Sequence, residues 1–336
     1  MASDGIRGQE QRRVVRLREI DPENESFRIT TRRRDERLEL SLVRIGLLQA
    51  PLLLPAGRGF AVVSGFRRVE ACRRLGWEAI PAQVLPEHTP AYACALRAVA
   101  ENSLQRPLNL IETSRALALL EQHAPGGSLA PEDAAALGLP AHAGFTARLK
   151  LLCRMPQELQ EAVLEEAVSF AMAVELGGMP AAQAAAFARL FRRLKTSLNK
   201  QREIVTLVAE IAAREGIDPG AVLADPALSG VQSAEELDRN EQTRRIRRRL
   251  RQRRFPALVA AEEAFQALRQ GLKLGENIQL SPPRDFEATR LTLTLSFESL
   301  EEIGRLRDQL EELAAHPDLK RLLTGKSSGF AEAPEP

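Results

Sequence analysis

The sequence predicts a multidomain α+β protein with a small mixed sheet at its start, an all-helical middle and a small strand-and-helix unit at its end. Two patterns carry this prediction. Short apolar runs bounded by Pro or Gly alternate with helical spacing over the first third of the chain, as in a mixed sheet covered by helices. Near the other end, apolar and polar residues alternate strictly from Leu291 to Phe297, which is the period of a half-buried strand.

Composition supports a largely helical chain. Of the 336 residues, 44% are hydrophobic and only 4% aromatic, so the core is built mainly from Leu, Ala and Val, which favours helices. The length allows two or three domains of roughly 100 to 200 residues each. The formal net charge is only +2, but the arginines cluster, so local patches can meet phosphates. Three separated cysteines without a CxxC pair argue against a disulfide framework or a zinc site.

The first domain is predicted over residues 15–107, after a mobile charged segment of residues 1–14. Its expected elements, in order, are a strand in RLREI (16–20), a helix across 38–48, strands in APLLLP (50–55) and FAVVSG (60–65), a helix closed by Gly76, and a strand in IPAQVL (80–85). Strands and helices that alternate in this way predict a small mixed sheet with helices packed on it.

Two adjacent arginines, Arg67 and Arg68, stand where the second helix of this domain begins. A helix N-terminus already carries positive partial charge and prefers acidic residues. The arrangement costs stability unless an anion binds there, and a glycine before such a helix is typical of a phosphate site. Two solvated arginines on an ordinary amphipathic helix are the alternative for this motif taken alone.

The stretch that follows predicts two helices separated at Pro107. This proline biases the residue before it towards an extended conformation, and Asn109 with Glu112 resembles a capping box that opens the next helix. Polar groups at the end of the first helix and in the connection are therefore accessible to a ligand. These groups belong to Glu101, Asn102 and Arg106.

Residues 108–238 predict a helical domain with a degenerate helix-turn-helix. Ala134 lies four residues before Gly138 and a Leu-rich helix follows, which is the outline of that motif. The match is imperfect because Gly144 lies where a recognition helix would begin. Ala-rich helical pairs are also common packing units.

Residues 239–255 predict an arginine-rich linker or helix. Nine arginines against one glutamate give residues 239–254 a local charge of +8. Ile246 and Leu250 supply only a thin apolar stripe, so we expect an exposed helix, or a linker that becomes helical on binding. A solvated helix face and a phosphate-binding surface both fit this pattern, and the second would release counterions from nucleic acid.

Residues 256–324 predict a small dimerisation domain, followed by a disordered tail over residues 325–336. We expect a helix over 258–268, strands in NIQL and before Phe297, and a final helix that buries Leu300, Ile303, Leu306, Leu310 and Leu313. So few strands cannot bury an apolar face alone, which favours pairing with a second copy of the chain.

Five motifs occur in order along the chain: IGLLQAPLLLP (45–55), SGFRRVEACRRLG (64–76), ENSLQRPLNLIE (101–112), ARLKLLCRMPQELQEAV (147–163) and LTLTLSFESLEEIGRL (291–306). Together they resemble the ParB family of chromosome and plasmid partition proteins, whose amino-terminal domain is shared with sulfiredoxin. The resemblance covers most of the chain and is strongest over residues 36–120.

The resemblance implies a CTP-dependent DNA clamp. In such a homodimer the first domain binds CTP with Mg²⁺, the domains close over DNA, and a ParA-type segregation ATPase acts on the complex. Guanidinium groups are strong donors to phosphates, and carboxylate and amide oxygens are ligands that Mg²⁺ accepts. The implied nucleotide-binding residues are Gln49, Ser64, Gly65, Arg67, Arg68 and Arg106, with Glu101 and Asn102 as metal ligands. The predicted DNA-binding residues are Arg148, Lys150, Arg244, Arg247, Arg248 and Arg251.

The sequence departs from the family pattern at several positions. Phe66 replaces a glutamate of the second motif, so we expect weak or absent CTP hydrolysis and assign no catalytic residue. Glu70 replaces an arginine of the same motif, and the alternative is that this carboxylate serves the water instead. Arg106 lies one place later than its family counterpart. Between Gly138 and Leu149 the helix-turn-helix is one residue too long, which weakens the case for sequence-specific reading of DNA.

Three function classes remain open from the sequence. The first is the nucleotide-gated DNA-binding dimer, and the second is an enzyme on the same fold, either sulfiredoxin-like or a small-molecule kinase. Sulfiredoxin needs a cysteine where Phe66 stands, whereas a kinase would recruit Glu70 or Glu101 as its base. The third is a regulator that binds nucleic acid without nucleotide chemistry. No signal peptide or membrane-spanning run is visible, so a cytoplasmic, nucleoid-associated location is expected.

Overall fold

The computed structural model describes residues 11–32, 34–233, 236–272, 274–275, 277–283, 286, 290–317 and 319–320. The chain divides into two compact units, residues 1–198 and 199–336. The expected disordered tail lies outside the described residues, as do the first ten residues of the expected mobile N-terminal segment. Among the described residues, no helix is long and apolar enough to cross a membrane.

A four-stranded mixed sheet opens the first unit. Its strands are β1 (Gln11–Arg16), β2 (Leu52–Ala56), β3 (Gly59–Ser64) and β4 (Ala79–Val84). The spatial order is β1-β4-β2-β3, in which β2 runs parallel to β4 and the other neighbours are antiparallel. The first strand begins earlier than predicted, because β1 uses residues 11–16 and RLREI continues as a short 3-10 turn, Leu17–Glu19.

Four helices accompany this sheet: α1 (Glu36–Ile45), α2 (Phe66–Arg74), α3 (Ala91–Ser103) and α4 (Leu110–His123). Helix α3 packs on β3, α4 packs on α3, and α1 packs on α2. The core between sheet and helices is mainly apolar, with Leu53, Val63, Ile80 and Cys72 all buried. Burial raises the pKa of the Cys72 thiol, so this cysteine is a packing residue rather than a nucleophile. The structure thereby confirms the predicted small mixed sheet with helices.

A buried carboxylate, Glu112, joins α4 to the loop before α1. It is fully buried and accepts from the backbone N–H of Thr31 at 3.1 Å and from that of Asn109 at 3.2 Å. The Arg106 guanidinium donates to both of its oxygens at 2.7 and 2.8 Å. Burial alone would raise the pKa of Glu112, but these donors outweigh burial and hold the pKa below its usual range. The capping box predicted from the sequence is present.

The rest of the first unit is helical. It contains α5 (Pro131–Ala136), α6 (Ala143–Leu149), α7 (Gln157–Leu164), α8 (Phe170–Gly177) and α9 (Ala181–Leu194). The segment predicted as a helix-turn-helix forms two short helices, α5 and α6, and Gly138 between them has a φ of +65°. Its identification as a DNA-reading motif stays a prediction.

The second unit comprises α10 (Leu198–Glu215), α11 (Pro219–Leu223), α12 (Pro226–Ser233), α13 (Arg239–Arg254), α14 (Pro256–Gly271), β5 (Ile278–Ser281), β6 (Thr292–Leu295) and α15 (Leu300–Ala315). The arginine-rich segment is the regular helix α13. Its stripe of Ile246 and Leu250 is fully buried, so the helix is packed rather than exposed on all sides.

The last part of this unit is an antiparallel hairpin of β5 and β6 followed by α15. The predicted strand alternation is present, with Leu293 and Leu295 half-buried. The predicted stripe of α15 is only partly buried. Leu306 and Leu313 are inside, whereas Leu300 is 86% exposed and Ile303 is 39% exposed. This end of the chain therefore leaves apolar surface uncovered.

Replacement of Glu112 tests its role in this fold. Glu112→Ala should lower the unfolding free energy by about 3 kcal/mol or more, because a buried network loses its acceptor. The pKa of Glu112 is lower in the folded protein than in the unfolded chain. Its contribution to the unfolding free energy is therefore complete above the usual glutamate pKa of about 4.3 and is lost as the pH falls below that value. Denaturant unfolding at neutral and acidic pH measures both effects.

The matched control is Glu165→Ala, which removes a carboxylate bound to Arg192 on the exposed surface of the same unit. Such a surface pair contributes at most about 1 kcal/mol. Equal losses of stability in the two variants would contradict the role assigned to Glu112.

Candidate functional site

Gly65 opens α2 in a conformation that suits only glycine. Its φ is +90°, and a Cβ added there would lie 2.9 Å from the Cβ and 3.0 Å from the Cα of Pro51. The helix that follows has no side-chain cap and no acidic residue in its first turn. An uncapped helix N-terminus preceded by glycine lets the backbone approach an anion closely.

Arg68 ties the start of α2 to two other segments. Its guanidinium donates to the carbonyl oxygens of Gln49 at 2.9 Å and Ala50 at 3.3 Å, and it forms an ion pair with Glu101 at the end of α3. The neighbouring Arg67 donates to Asp35 at 3.1 Å. Both arginines therefore point towards carboxylates that lie around the start of α2.

The predicted metal ligands lie side by side at the end of α3. Asn102 donates its amide N–H to the carbonyl of Ala98 at 2.8 Å, which directs the amide while its oxygen stays available. Glu101 is held by Arg68. The described residues contain no group of three or more His, Cys, Asp or Glu that could hold a metal alone. A cation here would need ligand oxygens from a bound phosphate as well, which is the usual situation for Mg²⁺.

Two cavities of about 170 and 420 Å³ lie around these side chains, and Gln49, Arg68, Glu101 and Gln105 line both. Gly65, Arg67 and Asn102 also line the smaller cavity. Thr30 lines it too, and the Thr30 hydroxyl is buried without a hydrogen-bond partner. An unpaired buried hydroxyl at a polar cavity is available to a ligand.

Phe66 and Glu70 both interact with Arg28, the first through its ring and the second through its carboxylate. The Arg28 guanidinium lies 5.3 Å from the centre of the Phe66 ring and donates to Glu70 at 2.5 and 3.3 Å. Phe66 lines the smaller cavity and is almost buried, whereas Glu70 is not among the lining residues. The position next to Gly65 thus carries no carboxylate.

Two predicted nucleotide-binding residues lie away from the cavities. Ser64 is buried and its hydroxyl has no partner. Arg106 is bound to Glu112, and the hydrogen bonds that its guanidinium donates to this carboxylate raise the pKa of Arg106. Neither residue lines the two cavities, so each reaches a ligand only if its surroundings rearrange.

The motifs did not single out Thr30, Asp35 or Gln105 as site residues. The sequence carried one signal, because an aspartate before a helical run is a typical N-cap, and Asp35 accepts from the Leu38 N–H at 3.2 Å. That signal locates a helix start, but it does not reveal that the helix begins beside Arg67.

The two predicted DNA-binding residues of the helical region differ in whether a carboxylate binds them. Arg148 on α6 is exposed and donates to the carbonyl of Gly144 at 3.1 Å. Lys150 just after α6 is held by both oxygens of Glu121, at 2.6 and 2.8 Å. Of these two residues, Arg148 alone presents its charge without a carboxylate partner among the described residues.

The four predicted DNA-binding arginines of α13 all form ion pairs. Their partners are Glu241 for Arg244, Glu203 for Arg247, Glu263 for Arg248 and Glu262 for Arg251. The local charge of +8 is therefore largely compensated within the second unit.

Comparison with known proteins identifies a related sequence. Over 136 residues the chain is 32% identical to the nucleoid occlusion protein of Geobacillus kaustophilus, and the match covers 40% of this chain and 46% of the relative. The chain thus matches about half the length of that protein. The match confirms the resemblance to the ParB family that the ordered motifs predict. No family model matches the chain.

Three solved structures are similar in part. ParB from Caulobacter crescentus complexed with CTP-gamma-S is 22% identical and covers 54% of this chain and 98% of its own, with a TM-score of 0.24. The same protein complexed to the centromeric parS site is 19% identical over 56% and 96%, with a TM-score of 0.31. A Pnob8-like ParB-N domain is 16% identical over 72% and 98%, with a TM-score of 0.28.

Proposed function

We propose that this chain, a divergent relative of the ParB proteins, is a nucleotide-gated DNA-binding protein that acts on the nucleoid in chromosome or plasmid partition. The observation that carries the proposal is the start of α2. There an uncapped N-terminus, Gly65 and two arginines lie at a cavity that also receives Glu101 and Asn102. This combination offers cationic donors for a triphosphate and oxygen ligands for its metal ion.

The phosphate-binding part of the site consists of Gly65, Arg67 and Arg68. Gly65 lets the α2 backbone approach the ligand, and the free N–H groups of a helix start favour negative charge. The arginines add charge-assisted donors. Gln49 joins the site through the loop that Arg68 already holds, whereas Ser64 precedes Gly65 and is buried at the end of β3.

Glu101 and Asn102 would hold Mg²⁺, which neutralises phosphate charge when it is bound. Without a ligand, Glu101 neutralises Arg68. A metal–triphosphate complex satisfies both groups at once, because the carboxylate turns to the cation and the guanidinium to the phosphates. An anion alone leaves Glu101 facing unpaired negative charge, so the site favours the metal complex over a free anion.

The other parts of the proposal follow the predicted domains. The nucleotide site belongs to residues 15–107, the helices of residues 108–238 contact DNA through Arg148 and Lys150, and residues 256–324 join two copies into a homodimer. A ParA-type segregation ATPase is the proposed partner of the assembled clamp. CTP is the proposed nucleotide.

Nucleotide titration tests the site. Arg68→Ala and Asn102→Ala should each abolish Mg²⁺-nucleotide binding, since one removes a phosphate donor and the other a metal ligand. Calorimetry with CTP, ATP, GTP and UTP, with and without Mg²⁺ and duplex DNA, measures the effect. The parent protein should bind CTP, and a parent that binds none of the four nucleotides would support the regulator without nucleotide chemistry.

Arg74→Ala is the matched control for this titration. Arg74 lies at the far end of α2, pairs with Glu39 and lines neither cavity. It should bind nucleotide as the parent does. If Arg68→Ala or Asn102→Ala also kept parental affinity, the site assignment would be wrong.

Hydrolysis should be slow, because Phe66 occupies the place next to Gly65 and Glu70 is committed to Arg28. A positioned general base is worth typically 10² to 10⁴ in rate, and its loss affects turnover rather than binding. Phosphate release by the parent protein with saturating CTP and Mg²⁺ measures this. Brisk release that is lost in Glu70→Gln and retained in Phe66→Leu would assign the role to Glu70 and contradict the prediction.

Dimerisation through the C-terminal part rests on its uncovered apolar residues, which include Phe297 and Leu300. Phe297→Lys combined with Leu300→Lys should therefore give a monomer in sedimentation experiments without nucleotide. Leu40→Lys, at a similarly exposed leucine of α1, is the control and should leave a dimer. A double variant that still sediments as a dimer would exclude this interface.

A further inference from the structure

Helix α13 separates its arginines into two faces. At 3.6 residues per turn, side chains four positions apart share a face. Apart from Arg239 at the start of the helix, which is also exposed, the exposed arginines are Arg244, Arg245, Arg248 and Arg249, and the half-buried ones are Arg247, Arg251, Arg253 and Arg254. The buried stripe of Ile246 and Leu250 fixes which face turns inward.

The half-buried arginines hold the second unit together. Arg247 donates twice to Glu203 and Arg254 donates to Glu210, so both bind α10. Arg253 pairs with Glu215 at 2.5 Å and with Asp225 at 2.7 Å. Each of these cations has a carboxylate from another part of the unit, which leaves little free charge for an external phosphate.

The exposed arginines line a groove of about 670 Å³ beside α12. Its lining consists of Val231, Glu241, Arg244, Arg245, Arg248, Arg249 and Gln252. Glu241 accepts from both Arg244 and Arg245, so one carboxylate serves two cations. The partner of Arg248 is Glu263 on α14, which does not line this groove. Among the described residues, Arg249 has no ion-pair partner. With Arg248 paired to Glu263, the described lining keeps Arg244, Arg245 and Arg249 against Glu241 alone, so it retains excess positive charge.

We propose that this groove binds the phosphate backbone of duplex DNA without reading its sequence. Arg244 with Arg248, and Arg245 with Arg249, form two rows whose members rise about 6 Å along the helix axis. Such rows follow a linear polyanion better than they surround a compact anion. The lining has no aromatic side chain on which an unpaired base could stack, which favours duplex over single-stranded nucleic acid. This surface lies in the second unit and is independent of the nucleotide site.

The proposal changes which arginines carry DNA affinity. Arg245 and Arg249, which the sequence prediction omitted, become contacts, whereas Arg247 and Arg251 become structural residues. Backbone contacts fix position on DNA and carry no direct sequence information. The groove would therefore hold the chain on any duplex.

The test compares two double variants of the full chain, Arg245→Gln/Arg249→Gln and Arg247→Gln/Arg251→Gln, which remove equal charge from one helix. Affinity for a random-sequence duplex is measured at several salt concentrations. Each lost phosphate contact flattens the dependence of log affinity on log salt by about 0.9, so the first variant should flatten it by about 1.8. The second should keep the parental slope. An unchanged slope in the first variant, or equal flattening in both, overturns the proposal.

Two further measurements keep the result interpretable. Thermal unfolding followed by circular dichroism shows whether Arg247→Gln/Arg251→Gln still folds. If it does not fold, the salt dependence of Arg245→Gln/Arg249→Gln alone tests the proposal. Competition with inorganic tripolyphosphate distinguishes a compact-anion site. The duplex assignment would be overturned if the first variant lost tight binding of tripolyphosphate but kept the parental dependence of DNA affinity on salt. In calorimetry, Arg245→Gln/Arg249→Gln should bind nucleotide as the parent protein does. A result that contradicts the groove proposal is therefore distinguishable from one that contradicts the nucleotide site.

Discussion

The pairing of one buried carboxylate, Glu112, constrains the architecture around the candidate site. A fully buried charge is costly unless donors surround it. The donors come from Thr31 in the loop before α1, from Arg106 after α3 and from the first turn of α4. Thr31 lies 81 residues from Glu112 in the sequence, so satisfying this one side chain brings the loop before α1 to the start of α4. Thr30 consequently reaches the cavity wall opposite the end of α3.

The same principle of paired charge governs the site itself. Arg68 and Glu101 neutralise one another across the start of α2, and Arg67 does so with Asp35. The folded protein therefore carries no uncompensated charge at these positions before a ligand arrives. A ligand that brings both positive and negative charge can replace both partners of a pair, whereas a simple anion can replace only one. The proposed preference for a metal-bound triphosphate rests on this pairing and does not require a preformed metal cage.

Ion pairs with carboxylates of the second unit also determine which arginines of α13 are available to a ligand. Counting residues gives this segment a charge of +8, but the count contains no information about counter-charges elsewhere in the chain. In the fold, carboxylates from α10 and α14 and Asp225 neutralise the half-buried side of the helix. The exposed side shares Glu241 and therefore keeps excess positive charge. Apolar burial of Ile246 and Leu250 sets the rotation of the helix and so decides which arginines fall on each side.

By itself the sequence determined the α+β class, the strands from Leu52 to Val84, the helix start at Gly65 and the capping box of Asn109 and Glu112. These features depend on period, turn residues and contacts between near neighbours, which a single sequence displays. It misplaced the first strand, because an exposed edge strand such as Gln11–Arg16 shows almost no apolar pattern. Only the tertiary structure decided that Thr31 contacts Glu112, that Arg68 faces Glu101 and that Leu300 stays exposed. Those outcomes depend on which distant segments meet, and long-range pairing of charges and apolar faces leaves no local period in the sequence.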